Sequence, residues 1–120
     1  QPIVTFTPHL VPMNRGILST TYCRLKSPMT LPDLRALYHT YYKGERFVRV
    51  QEDIIPNPRY IKGSNYCDIG VYLDPRAGSV ITVAALDNLV KGAAGQAIQA
   101  MNLMMGFPEE TALTAPAAYP

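Results

Sequence analysis

The chain has 120 residues, enough for one domain with a modest core and too few for two ordinary domains. Its 48% hydrophobic and 17% charged residues exclude a disordered segment, and a net charge of +2 with no Lys/Arg run argues against nucleic acid. Cys23 and Cys67 form neither a C-x-x-C pair nor a Cys/His ligand set, so a reducing, intracellular setting is expected. No secretory signal is visible, and no apolar run approaches the roughly 18 residues of a membrane helix.

Residues 3–11 are rich in β-branched and apolar types and predict a strand that leads into His9. Pro8 and Pro12 fix their own φ and push the preceding residues toward extended conformations, so His9 sits on a stiffened segment. Arg15 follows with a permanent charge, and Gly16 with a permissive backbone. A held imidazole near a guanidinium suits chemistry on an anionic substrate, although a lone His beside prolines equally fits a turn. Beyond Gly16, residues 17–26 alternate as a second strand whose Ser and Thr leave one face partly wet.

Thr30-Leu31-Pro32-Asp33 marks a helix start, with Thr30 as cap and Asp33 at the positive end of the dipole. Leu34, Leu37, Tyr38, Tyr41 and Tyr42 recur at helical spacing, and Lys43 and Gly44 close the helix. His39 falls off that stripe and is expected at the surface, while the tyrosines suit core and interface packing better than base stacking. Residues 46–51 predict a short charged strand at a sheet edge, and 52–60 a loop. A turn-like step at 63–66 precedes two runs, 67–73 and 79–86, joined through Asp74-Pro75-Arg76-Ala77-Gly78 as a hairpin.

Residues 87–106 predict the last helix. Val90, Ala94, Ala97, Ile98, Met101, Met104 and Met105 share one face, with the methionines expected to fill the core and Gly106 and Pro108 ending the run. Gly92 and Gly95 each cost about 1 kcal/mol relative to Ala, which either a tight packing contact or a ligand at the positive helix end would offset. The fold class is α+β: four or five mostly antiparallel strands, one inserted helix and one C-terminal helix. Residues 1–120 form a single domain, with 1–87 the sheet and inserted helix and 88–120 the closing helix and tail. No dinucleotide fingerprint, Walker A loop, zinc spacing or nucleophile elbow is present.

Three motifs in order, Thr5-Phe6-Thr7-Pro8-His9-Leu10-Val11-Pro12-Met13-x-Arg15-Gly16, Gly63-Ser64-Asn65-x-Cys67 and Asp87-Asn88-Leu89-Val90-Lys91-Gly92-Ala93-Ala94-Gly95-Gln96-Ala97, closely resemble the N-acetyl-gamma-glutamyl-phosphate reductases. The ending Met101-Asn102-Leu103-Met104-Met105-Gly106-Phe107-Pro108-Glu109 resembles them too. The resemblance implies the C-terminal domain of glyceraldehyde-3-phosphate and aspartate-semialdehyde dehydrogenase-like enzymes. It also implies NADPH-dependent reduction of an acyl phosphate to an aldehyde in arginine biosynthesis. In that chemistry a thiolate displaces phosphate to give a thioester, hydride reduces it, and the hemithioacetal collapses to the aldehyde.

Members of that family carry an NADP-binding Rossmann half and a nucleophilic cysteine in a Gly-Cys-x-Pro-Thr-like motif, and neither occurs in these residues. The nucleophile role is transferred to neither Cys23 nor Cys67. By the same resemblance His9 matches the histidine beside the cysteine and takes acid/base work. Asn88, Lys91, Gly92, Gly95 and Gln96 match the segment that returns to the NADP-binding half near the nicotinamide, which would pack on residues 88–120. Arg15, from its chemistry and its place in the motif, is a candidate anchor for a substrate carboxylate or phosphate. A homo-oligomer in the cytoplasm, or in an organelle of a eukaryote, is implied, and the isolated chain is expected to be inactive. Two alternatives stay open: a lysine-pathway reductase acting on an acyl phosphate one methylene longer, and a stand-alone dimerisation module.

Overall fold

The computed structural model describes residues 3–118. Its centre is a hairpin of β3 (Cys67–Asp74) and β4 (Ser79–Leu86), paired antiparallel from Cys67↔Leu86 to Asp74↔Ser79. The turn closes because the Asp74 carboxylate accepts the Arg76 N–H at 3.0 Å and Gly78 adopts φ +60. On the other side of β4 lies β1 (Ile17–Arg24), also antiparallel, from Ile17↔Leu86 to Arg24↔Ser79. The short β2 (Val48–Gln51) runs parallel to β3 at the opposite edge, and residues 52–66 supply the long connection that a parallel neighbour requires. The sheet therefore has four strands in the order β1-β4-β3-β2, mostly antiparallel.

Helix α1 (Leu31–Tyr41) begins as expected, with a capping box. Thr30 Oγ1 accepts the Asp33 N–H, and the Asp33 carboxylate accepts the Thr30 N–H in return. Gly44, at φ +92, turns the chain away two residues after the C-cap, Tyr42. The helix covers one sheet face, packing Leu34 against Ile69, Val71 and Val80, with Tyr38 and Tyr42 at the margin. Tyr38 Oη reaches Thr82 Oγ1 at 3.0 Å. Leu37 and Tyr41, on the same predicted stripe, are exposed, so that edge of the stripe finds no cover on this domain. His39 lies on the surface beside Glu52, as its place off the stripe requires.

The other sheet face has little cover. Pro56 closes over Gly70, where an added Cβ would come within 2.8 Å of the proline ring, but Leu18 and Tyr22 of β1 stand open. Cys23 pairs with Val80 and Cys67 with Leu86, six positions apart along β4, so the two thiols lie roughly 20 Å apart and both are free.

Two expectations are corrected. Residues 3–11 are not a strand: the segment runs exposed and unpaired to the start of β1. Pro8 and Pro12 lack the N–H that a ladder needs, and the apolar side chains of Ile3, Val4, Phe6 and Leu10 find no surface on this domain. The closing helix also presents the opposite face to the one predicted. After a wide π-helical turn (Val90–Ala94), α2 (Gly95–Met104) buries Gly95, Gln99 and Asn102, while Met104 is 85% exposed and Met101 and Met105 are exposed with it. Periodicity located the apolar stripe but not the side that this domain uses.

Gly95 explains why a helix keeps a costly residue. A Cβ there would lie 2.3 Å from Asn65 Oδ1 and 2.8 Å from Val90 Cγ1. Gly95→Ala should therefore destabilise the fold by more than about 1 kcal/mol, despite a helix-propensity gain of similar size, as a lower urea midpoint. A raised midpoint would mean that α2 can shift away from Asn65 without loss.

Candidate functional site

Asp87 stands where β4 hands over to the closing helix and is wholly buried. Its Oδ1 accepts the N–H groups of Leu89 (2.8 Å) and Val90 (2.9 Å), in the manner of an N-cap. Its Oδ2 accepts the Gly63 N–H at 2.7 Å and the Arg15 guanidinium, Nη2 at 2.7 Å and Nε at 3.2 Å. Next to it, Asn88 Oδ1 accepts the Gly16 N–H at 2.7 Å. Gly16 is held at φ +103 against Pro58, where no side chain would fit. Three remote stretches, 15–16, 63 and 87–90, thus converge on one carboxylate and its neighbour.

Burial pushes the Asp87 carboxyl up, but the Gly63 N–H, the Arg15 guanidinium and the N–H groups of Val90 and Leu89 outweigh it. The net effect holds the carboxyl below its ordinary value.

His9 lies on the exposed strap that enters this junction. Its Nδ1 is 3.0 Å from the Thr7 carbonyl oxygen. A carbonyl only accepts, so Nδ1 is the donor in this contact, and Nε2 is the ring nitrogen left to exchange a proton. The Arg15 side chain keeps 31% of its surface, and its Nη1 has no hydrogen bond among the described residues.

The predicted cofactor-side residues divide in two. Gly92 and Gln96 are exposed, and Asn88 spends its Oδ1 on Gly16 while its amide –NH2 meets no acceptor among the described residues. Lys91 and Gly95 face inward. Lys91 Nζ donates to Gln99 Oε1 at 2.6 Å and lies 5.5 Å from the centre of the Phe47 ring. Burial pulls the Lys91 ammonium below its ordinary pKa, against the opposing pull of Cys67, Glu109 and Glu45. Gln99 Oε1 also accepts from Asn65 Nδ2 at 3.0 Å, and Gln99 Nε2 donates to Glu109. Asn102 Nδ2 donates to the Glu109 and Thr111 carbonyls at 3.0 Å each and ties the tail to the helix. The buried side of α2 is consequently a polar network.

Cys67, at the border of that network, is half-buried; burial and the Asp68 carboxylate push its thiol up, and Lys91 only partly opposes them. That is the reverse of what a nucleophilic cysteine needs. No group of three or more His, Cys, Asp or Glu among the described residues could hold a metal, and none of their helices is long and apolar enough to cross a membrane. Sequence reasoning missed Asp87, Asn65 and Gln99. An Asp three residues before Val90, at a strand-to-helix junction, is an N-cap signal that could have been read; the Asn65–Gln99 pair, 34 residues apart, left none.

Residues 1–88 match the family model described as semialdehyde dehydrogenase, dimerisation domain. Over 111 residues the chain is 56% identical to the N-acetyl-gamma-glutamyl-phosphate reductase of Geobacter sp. (strain M21), covering 92% of this chain and 32% of that protein. Its identity to the reductase of Pelotomaculum thermopropionicum is 51% over 118 residues, or 98% of this chain and 34% of that protein. With the reductase of Geotalea daltonii it is 51% over 121 residues, 100% and 35% respectively. The chain spans about a third of the length of the curated relatives it matches.

Because the folded pKa of Asp87 lies below the unfolded one, its contribution to stability is full above the unfolded value of about 3.9 and is lost as pH falls through the folded value. Thermal melts taken downward from pH 6 should show the wild type losing stability below about pH 4, and Asp87→Asn losing less over the same interval. Equal losses in the two proteins would remove Asp87 from the acid response.

Proposed function

The chain belongs to the semialdehyde dehydrogenase dimerisation-domain family, and we propose that it is the C-terminal part of an N-acetyl-gamma-glutamyl-phosphate reductase. In this reading it contributes the acid/base histidine and the oligomerising sheet to a larger enzyme. The observation that carries the reading is the His9 geometry together with the identity to reductases of that name: a stiffened strap presents an imidazole whose Nδ1–H is already committed to the Thr7 carbonyl. The free Nε2 can take the proton of a hemithioacetal hydroxyl, so that the carbonyl forms as the C–S bond breaks. The imidazolium can equally protonate the oxygen during reduction. The cysteine that carries the acyl group lies outside these residues.

NADPH, when bound, supplies the hydride. Asn88, Gly92 and Gln96 fit a contact with it: the first turn of the closing helix offers a free amide –NH2, a residue without a side chain and an exposed glutamine. Lys91 and Gly95 belong to the same assignment as its support, bracing that turn from inside against Gln99 and Asn65. Arg15, half-exposed and held by Asp87, is the anchor for a substrate carboxylate or phosphate.

The described residues carry two apolar surfaces that want cover. Met101, Met104 and Met105 on α2, with Phe107 after it, suit the remaining two-thirds of the enzyme. The sheet face opposite α1, with Leu18 and Tyr22 exposed on β1, suits a second copy.

In the full-length enzyme His9→Asn should lower turnover by roughly 100-fold or more, measured as phosphate-dependent NADP reduction with the semialdehyde. Unchanged turnover in a folded variant would end the acid/base assignment. Tyr22→Asp should shift the oligomer toward smaller species in sedimentation velocity, and an unaltered profile would move the interface elsewhere. Comparing N-acetyl-glutamyl phosphate with its homologue one methylene longer separates the arginine-pathway substrate from the lysine-pathway one.

A further inference from the structure

We propose that Asp87 is the positioning residue for Arg15: it grips the guanidinium through Nε and Nη2 and so sets Nη1 ready for the anionic group of the substrate. This rests on the reductase reading above. The contact differs from an ordinary surface ion pair in three ways. The carboxylate is wholly buried and is itself fixed by the N–H groups of Gly63, Leu89 and Val90. Those three donors satisfy Asp87 without Arg15, whereas Arg15 has no other hydrogen-bond partner among the described residues. The dependence therefore runs one way, with Asp87 as the fixed post and Arg15 as the part held.

Charge supports the same direction. A carboxylate shared among three N–H dipoles cancels less of the guanidinium's charge than a bare one would, so Arg15 keeps an attraction for anions. Geometry adds a second link. The residue after Asp87 grips the residue after Arg15, through Asn88 Oδ1 and the Gly16 N–H at 2.7 Å. The guanidinium is thereby indexed to the turn proposed to face the cofactor, and the same clamp anchors the end of the strap that bears His9. An arginine fixed in advance loses less freedom when an anion binds than one that must first be ordered.

The test uses the full-length enzyme with Asp87→Asn, Asp87→Glu and Arg15→Lys. For each folded variant the KM for the acyl phosphate, the KM for NADPH and kcat are measured. Exchange of the Arg15 Nε–H is followed by NMR alongside. Asp87→Asn keeps an Oδ1 to cap the turn at Leu89 and Val90 but loses the carboxylate that holds Arg15. It should therefore raise the acyl-phosphate KM about ten-fold while leaving that for NADPH within about two-fold, the split expected when one anchor is loosened. The Arg15 Nε–H should be protected in the wild type and exchange freely in the variant. If Asp87→Asn does not fold, Asp87→Glu keeps the charge but displaces it by a methylene and should show the same split. Adding Arg15→Lys to either should cost little more, because the two side chains act as a unit. Folded Asp87 variants with an unchanged acyl-phosphate KM overturn the proposal, as does an equal rise in both KM values or an unprotected Nε–H in the wild type. A wild-type enzyme that fails to reduce the acyl phosphate overturns the reductase reading instead, and the substrate role of Arg15 with it.

Discussion

One buried carboxylate holds the ends of this domain together. Asp87 closes the last strand, caps the turn that starts the closing helix, receives the loop at Gly63 and takes the arginine that ends the N-terminal strap. These contacts join residues 24 and 72 positions apart. Each is a charge-assisted hydrogen bond in a dry place, where losing one partner strands several others. Without it the sheet could still form, since its registers rest on the β3–β4 hairpin and on β1. What would be lost is the placement of the strap and of the closing helix relative to that sheet.

In the proposed reading, the closing helix illustrates how one part of a larger enzyme would differ from a domain that works alone. Its inner face is a hydrogen-bonded chain of Asn65, Gln99, Lys91 and Glu109, and its outer face carries the methionines. In an isolated domain that arrangement is backwards. It makes sense when the outer face is the side that meets the rest of the protein and the polar side only has to fix the helix in one register. Buried polar groups do that well, because a shifted helix would leave them unpaired.

Much of the local structure was legible from residue type. Thr30 marks a helix cap with Asp33 in the first turn, Asp74 to Gly78 a turn, and residues 67–73 and 79–86 its two strands, because each of these depends on neighbours in sequence. The strand expected at 3–11 failed for a non-local reason: β-branched residues favour an extended backbone, but a strand exists only where a partner offers its hydrogen bonds. The methionine stripe was located correctly and assigned to the wrong side, since amphipathicity reports a face and not what covers it.

The sequence by itself determined the element types from residue 17 onward, the α+β class and the family, and it nominated His9 and Arg15 as candidates for chemistry. All of these follow from short-range propensity or from a motif read in order. Tertiary structure alone decided that Arg15 is held by Asp87, that Lys91 and Gly95 turn inward to Gln99 and Asn65, and that β2 lies parallel to β3. The reason is physical. These contacts join groups far apart in the chain, and their partners acquire meaning only once folding has removed the water between them.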